Sequence, residues 1–395
     1  MAATTEIGPL GRFPEEWEAA AARLGGRAFH GRQIFRWLLA RGVTDPAAMS
    51  DLPKALRERL GEEGSLMPLE AAEVRRSVDH TRKVLVRMAD GATVETVLIP
   101  GVTGRKKGEV EIEVDDADAA AAPDDDEDDE VAAAPAPGAP RVRVTQCIST
   151  QVGCAMGCVF CASGVAGLKR HMRPDEIVAQ VVLGKSLLDD DEELRNVVVM
   201  GMGEPLHNYD ATVRALRLLS HPDGVGLSTR RITVSTSGLV PEIARLGQDF
   251  GGQIGLAISL HAADDEARSR LMPINKKYPL ATLMQALREY PLPRRRRITI
   301  EYTLVAGKND DVGEAKKLAK LLRGLPVKVN LIPMNRIEAS TLGPPEQGGV
   351  LQFQQVLCDA GYSCFVRKRR GDDVAAACGQ LALLGAKPKV RVVRS

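Results

Sequence analysis

The chain has 395 residues, 44% of them apolar, seven cysteines and a formal net charge of +1. That is ample for one large barrel-type domain with smaller appendages, so a soluble globular enzyme is expected. No stretch approaches the roughly 18 apolar residues of a membrane span, and the first residues show no basic region followed by an apolar one, so a cytoplasmic protein without membrane contact is expected.

The cysteines are unevenly placed: four of the seven lie between Cys147 and Cys161. An odd, crowded set argues against a secreted disulfide framework and for metal or thiol chemistry in a reducing compartment. Charge is uneven too. Thirteen acidic residues and no basic one lie between Glu109 and Glu130, and without them the remainder is about +14. A balance that basic suits RNA or DNA, although a merely well-solvated surface would read the same way.

In chain order, residues 1–70 read as a helical accessory domain. Phe29 to Leu39 places apolar residues at helical spacing, and Ser50-Asp51-Leu52-Pro53 starts a further helix. Arg32, Arg36, Lys54, Arg57 and Arg59 give it a basic face that either binds RNA or solvates the helices. Residues 71–107 read as a β-hairpin, with alternating runs Thr81 to Met88 and Thr93 to Ile99 around Asp90-Gly91. Residues 108–140, acidic and then rich in alanine and proline, have nothing to pack and read as a disordered insertion.

From 141 to 395, β-branched runs alternate with helix-like segments. Strands are expected at Arg143 to Ser149, Asn196 to Met200, Arg231 to Ser235, Ile254 to Leu260, Arg297 to Leu304 and Val327 to Ile332. Connections of this length require crossovers, so the α/β fold expected is an incomplete (β/α)6 barrel of TIM type, with ligands at the carboxyl ends of its strands.

The motifs fall at those ends. Cys154, Cys158 and Cys161 stand in a CxxxCxxC spacing after the first strand. Three thiolates can hold three corners of a 4Fe–4S cluster and leave the fourth iron open to bind and cleave S-adenosylmethionine; a structural zinc or closed cluster wants a fourth protein ligand. Gly201-Met202-Gly203-Glu204-Pro205 follows the second strand: its glycines let backbone approach a ligand, and Glu204 can pair with an ammonium. Ser235 and Ser259 offer neutral hydrogen bonds to a ribose or adenine, as does Asn335, although each could equally cap a helix. His261 reads as a core or rim histidine in a supporting place. Cys147, Cys358, Cys364 and Cys378, taken singly, read as small buried hydrophobes. The basic runs Arg294 to Arg297 and Arg367 to Arg370 add phosphate-binding capacity.

The run Cys147 to Cys161, with Gly201 to Leu206, Ser235 to Gly238, Ile258 to Ala262 and Ala376-Ala377-Cys378-Gly379-Gln380-Leu381, resembles the radical SAM adenine methyltransferases of large-subunit ribosomal RNA, the RlmN type. The resemblance covers the helical region, the hairpin and the barrel, and the outlying Cys147 and Cys378 make it specific. It implies formation of 2-methyladenosine in 23S rRNA, with tRNA as a further substrate, using a 4Fe–4S cluster and two S-adenosylmethionine molecules per turnover. It also implies an electron donor such as flavodoxin or ferredoxin.

By the same resemblance, Cys378 takes a methyl group as a thiolate, and a radical generated at the cluster activates that methyl for addition to adenine. Cys147 then releases the product by disulfide formation with Cys378, and Glu95 takes the ring proton. Gly203, Glu204, Ser235, Ser259, Leu260, His261 and Asn335 match the S-adenosylmethionine contacts. The adenine would have to be unstacked to reach the site. The sequence departs from the common pattern at the acidic insertion, at Ala162 to Leu168, which lacks a Gln often found after the third ligand, and after Asn335. Two other readings stand beside this one: methylation at adenine carbon 8, and a non-catalytic, metal-stabilised RNA-binding protein.

Overall fold

Helix α1 (Pro14–Arg23) begins at a proline that needs no hydrogen-bond donor, and the Glu16 carboxylate caps the Phe13 N–H at 2.6 Å. It packs on α2 (Ala28–Phe35), burying Trp17, Ile34 and Phe35. Gly31 makes that approach possible, because a Cβ there would lie 2.2 Å from the Glu18 nitrogen. The chain continues through a wider helical turn at Arg36–Ala40 and then α3 (Lys54–Glu62), with Leu56 and Leu60 buried. These observations come from a computed structural model that describes residues 7–101, 141–337 and 340–381. The segment expected as an insertion at 108–140 lies outside the described residues.

The expected basic face of the helical region is largely engaged within the chain. Arg32 pairs with Glu18 at 2.6 Å, Arg36 with Asp223 at 2.7 Å and Lys54 with Glu58 at 3.8 Å. Arg57 and Arg59 donate to the carbonyls of Ala47 and Leu24. Such exposed pairs contribute little each to stability.

Twelve strands are described. Three form an antiparallel meander: β1 (Leu69–Arg76), β2 (Arg82–Met88) and β3 (Thr93–Pro100). β3 pairs antiparallel with β4 (Val142–Cys147), setting Val97 opposite Cys147. β5 (Gln151–Val152) and β6 (Arg170–His171) form a separate two-stranded ribbon. β7 (Glu192–Val199), β8 (Ile232–Thr236), β9 (Gly255–Ser259), β10 (Ile298–Leu304), β11 (Val327–Pro333) and β12 (Ser363–Val366) continue from β4 as parallel neighbours. The ten-stranded sheet runs β1-β2-β3-β4-β7-β8-β9-β10-β11-β12 and does not close.

All six expected barrel strands are present; the sheet gains β12 at one edge and the meander at the other. The sequence pattern missed β12 because it is four residues long, and β1 because only its first residue is fully buried. Every residue of β10 is buried, as expected of a parallel strand covered on both faces. The helices that alternate with the strands are α4 (Ala162–Ala166), α5 (Pro174–Ser186), α6 (Tyr209–Leu219), α7 (Val240–Phe250), α8 (Asp265–Leu271), α9 (Leu280–Glu289), α10 (Val312–Leu321) and α11 (Gln347–Asp359). Arg82 ties the meander to the barrel: it is buried, pairs with Glu192 at 2.5 Å and donates to the Leu187 carbonyl.

Parallel strands put all their carboxyl ends on one side. The motif residues therefore gather there, while Arg294 to Arg297 precede β10 and lie at the opposite end. Arg296 donates to the Gln253 carbonyl and Arg297 to Ser363, at the amino ends of β9 and β12. Strand direction therefore places this run away from the motif residues, unlike Arg367 to Arg370, which follow β12.

Candidate active site

The ribbon of β5 and β6 closes the base of the loop that carries Cys154, Cys158 and Cys161, and the three thiols line one cavity at the carboxyl ends of the strands. Among the described residues, no three His, Cys, Asp or Glu side chains converge tightly enough to hold a single metal ion. Three thiols on one loop lining one cavity suit a group whose metal corners are separated, as in a four-iron cluster. Burial pushes all three thiols upward, Cys154 to about 12, and repulsion from neighbouring thiolates adds to this at Cys154 and Cys158. A bound cationic cluster would reverse that preference by coordinating the thiolates.

Gly201, Gly203 and Glu204 line the same cavity. Gly203 has φ +105°, and a Cβ there would lie 2.6 Å from the Gln151 Cβ, so glycine is required by packing as well as by any ligand. The Glu204 carboxylate is buried and already holds two backbone donors, the N–H groups of Ser237 at 2.7 Å and Leu206 at 3.1 Å. Burial raises its pKa, and those hydrogen bonds oppose the rise. The Ser237 and Thr236 side chains also act on it, and an ammonium would add a charge-assisted contact to these.

Ser235 and Ser259 face one another across β8 and β9, with their hydroxyls 3.5 Å apart. His261 is buried with a left-handed backbone, φ 58°, and its Nδ1 accepts the Thr303 N–H at 2.8 Å. Burial, and then the Arg268 charge, push its pKa down to about 3, so the ring is neutral with its proton on Nε2. Asn335 donates to the Cys378 carbonyl at 3.1 Å. Its Oδ1 is buried without a hydrogen-bond partner among the described residues. An orphaned polar atom lining a cavity is what an adenosyl group or amino acid head would satisfy, so the site fits S-adenosylmethionine. Leu260 differs. Its side chain is in the core, and its N–H and carbonyl engage Glu301 and Arg268.

Cys378 lines the cavity and is exposed, contrary to the expectation for an isolated cysteine; so is Cys358, whereas Cys364 is buried. Two hydrogen bonds tie the Cys378 loop to the cluster loop: Ala162 N–H to the Gly379 carbonyl at 2.9 Å and Ser163 hydroxyl to the Leu381 carbonyl at 2.7 Å. Asp373 and Asp79 fasten it to the meander through Ser77 and Gly371. Cys147, buried at the end of β4, is raised to about 12 by burial and then by the nearby charge of Cys378. The two thiols, more than two hundred residues apart in sequence, thus lie within electrostatic reach. Glu95 does not line the cavity. It is buried, pairs with Lys83 at 3.0 Å, and Lys83 in turn donates to the Ala375 carbonyl in the Cys378 loop.

Sequence reasoning missed two charged residues of the cavity region. Arg268 is fully buried and donates to the carbonyls of Leu260, Ser237 and Ser259 and to Asn275, joining loops after β8 and β9. Burial lowers it to about 10, against the attraction of Cys158 and Asp265. Nothing in the charged segment around it distinguishes it from a solvated helix residue. Glu301 did carry a signal: it is the lone acid in the strand Ile298 to Leu304, where a solvated face has no room.

Among described residues, no helix is long and apolar enough to cross a membrane. Residues 148–320 match the Radical SAM superfamily model, and residues 13–65 match the ribosomal RNA large subunit methyltransferase N-terminal domain. The chain is 69% identical over 389 residues to the dual-specificity RNA methyltransferase RlmN of Sorangium cellulosum, covering 98% of each. It is 44% identical to the enzyme of that name from Geobacter sulfurreducens, covering 95% of this chain and 92% of that one. A crystal structure of a radical SAM methyltransferase from Sphaerobacter thermophilus superposes with a TM-score of 0.81 at 39% identity, covering 95% of this chain and 99% of that one. With a 4Fe–4S cluster and S-adenosylmethionine as its cofactors, the chain belongs to the RlmN family of radical SAM RNA methyltransferases.

Proposed function

We propose that the chain forms 2-methyladenosine in 23S rRNA and in tRNA, with Cys378 as the carrier of the methyl group. The observation that carries this reading is the meeting of Cys378 with the cluster cysteines in one cavity, with Cys147 in electrostatic reach. The dual-specificity name of the relatives supports the two RNA substrates.

Cys154, Cys158 and Cys161 would hold three irons. When bound, the cluster supplies the electron that cleaves S-adenosylmethionine at its remaining iron. Glu204 would hold the ammonium of S-adenosylmethionine, and Ser235, Ser259, His261 and Asn335 its adenosyl portion. The Cys378 thiolate would accept a methyl group, and loss of one hydrogen atom from it to the deoxyadenosyl radical would leave the methylene that joins its sulfur to the adenine ring carbon. Once the adduct has given up one electron, Glu95, joined to the Cys378 loop through Lys83, would take the ring proton. The Cys147 thiolate would then attack the Cys378 sulfur: an S–S bond forms as the S–C bond breaks, and the freed electron pair stays on the methylene carbon, which takes a proton to become the product methyl. Arg367 to Arg370 line a second cavity that includes Cys378, which suits RNA phosphates beside the thiol. On this reading the residues would divide into a helical accessory region at 1–70, a β-hairpin linker at 71–107, an acidic insertion at 108–140 and a barrel at 141–395. A cytoplasmic setting with flavodoxin or ferredoxin as reductant fits this chemistry.

The test is anaerobic reconstitution with RNA, followed by mass spectrometry of digested nucleosides and of the Cys378 peptide. The expected product is 2-methyladenosine, with a methylated Cys378. Finding 8-methyladenosine would move the reaction to the other ring carbon, and an active enzyme whose Cys378 is never methylated would remove that residue from its role. Cys147→Ala should accumulate a protein–RNA adduct; full turnover by that variant would dismiss the resolving thiol.

A further inference from the structure

We propose that Arg367 is a positioning residue that holds Cys378 as a thiolate at the cavity wall, and that Glu301 and Asn330 hold Arg367 in place. This rests on the reading above, in which Cys378 accepts the methyl group. Arg367 directly follows β12, and its N–H donates to the Leu331 carbonyl at 2.8 Å, so its backbone extends the sheet ladder by one residue. Its side chain is 11% exposed, and Nη1 lies 3.8 Å from the Cys378 Sγ and 3.7 Å from the Glu301 Oε2.

Three adjacent strands supply the parts. Glu301 on β10 stands in register with Asn330 on β11, whose Nδ2 donates to the Glu301 Oε1 at 3.1 Å. A carboxylate buried in the middle of an otherwise neutral strand is costly unless a cation meets it. Arg367 faces it as an ion pair at 3.7 Å, without a hydrogen bond to Oε2, and a guanidinium with five N–H groups in a fixed fork can face a second anion as well. The second group within reach is the sulfur of Cys378. A neighbouring cation favours thiolate over thiol, and the thiolate is the nucleophile. The same guanidinium favours the thiolate of Cys147, within whose electrostatic reach it also lies.

The step served needs no further reagent. The Cys378 sulfur lone pair forms a new S–CH3 bond as the methyl–sulfonium bond of S-adenosylmethionine breaks. The electron pair of the broken bond stays on the departing sulfur, which becomes a neutral thioether. No electron is taken up, and the only proton involved is the one Cys378 has already lost.

The test is site-resolved alkylation by iodoacetamide from pH 6 to pH 10, read by mass spectrometry of the Cys378 peptide. It uses full-length holoenzyme reconstituted anaerobically from unmethylated chain, with S-adenosylmethionine withheld. Wild type should react with a midpoint below the value of about 8.5 for a free cysteine. Arg367→Gln should move that midpoint up by about one unit and slow alkylation at pH 7 about tenfold, while Arg367→Lys, which keeps the charge, stays within about threefold of wild type. Buried Cys364 reports folding, since it should remain protected in an intact variant. Coincident profiles for wild type and Arg367→Gln would overturn the proposal, as would equal slowing by the lysine variant. Should Arg367→Gln expose Cys364, the wild-type midpoint decides, and a value at or above that of a free cysteine overturns the role. Adding S-adenosylmethionine to wild type separates the two readings: Cys378 that alkylates early but never gains a methyl group defeats the carrier role and leaves the Arg367 effect standing.

Discussion

Replacing Gly203 by alanine should destabilise the protein by about 2–6 kcal/mol and weaken S-adenosylmethionine binding together. The residue has φ +105°, a conformation that costs a side-chain-bearing residue about 1–3 kcal/mol. The added Cβ would lie 2.6 Å from the Gln151 Cβ and 2.8 Å from its backbone nitrogen, an overpacking worth a further 1–3 kcal/mol or so. Gln151 has little freedom to retreat. Its N–H donates to the Met202 carbonyl at 3.2 Å, and it pairs with His171 across the ribbon. Its side-chain carbonyl holds the Glu204 N–H at 2.8 Å, so movement there displaces Glu204 from the cavity. Urea unfolding would read the stability, and calorimetric titration of the reconstituted enzyme would read the binding. A loss below about 0.5 kcal/mol with unchanged affinity would refute the argument, because the crowding would then be absorbed without moving the loop.

Glu204→Gln should weaken S-adenosylmethionine binding about tenfold or more, since a charge-assisted contact to the ammonium is lost. Burial raises the Glu204 pKa, so wild-type affinity should fall as pH is lowered through that raised value while the variant stays flat; parallel titration curves would contradict this. His261, depressed from 6.5 to about 3, contributes stability that is present above pH 6.5 and is lost as pH falls toward the folded value. Between pH 6.5 and pH 5 that loss is about 2 kcal/mol at roughly 1.4 kcal/mol per unit. His261→Asn tolerates the left-handed backbone and should remove the slope, which denaturant melts at the two pH values would show. Arg82→Ala leaves Glu192 buried without its cation and should cost about 3–5 kcal/mol by urea unfolding. An unchanged midpoint would mean that the meander does not depend on this pair.

Much of the fold was legible because parallel strands covered on both faces leave runs of β-branched and apolar residues, as in Ile298 to Leu304. The cluster cysteines were legible because their ligand spacing is local. Where the signal was weak, the physics was long-range: β12 is too short to read, and Arg268 shares its composition with solvated helices yet is fully buried. Glu95 gave no more than a polar position on an alternating strand; its pairing with Lys83 lies within the β2–β3 hairpin, but its burial comes from Ser149 and Met202, distant in sequence, which meet its carbonyl and N–H.

By itself, then, the sequence determined the chemical inventory: three thiols at cluster spacing, two outlying thiols, a glycine-rich loop with an acid, and a barrel whose strand ends carry them. Only the tertiary structure decided which of these meet. Hydrogen bonds from Ala162 and Ser163 to Gly379 and Leu381 bring Cys378 to the cluster loop, and the order β10-β11-β12 sets Glu301, Asn330 and Arg367 side by side. The same parallel order sends Arg294 to Arg297 to the far end of the sheet. Spacing along a chain fixes only what a loop or a helix turn can bring together, whereas contacts across two hundred residues are set by strand order and by the burial that pays for it.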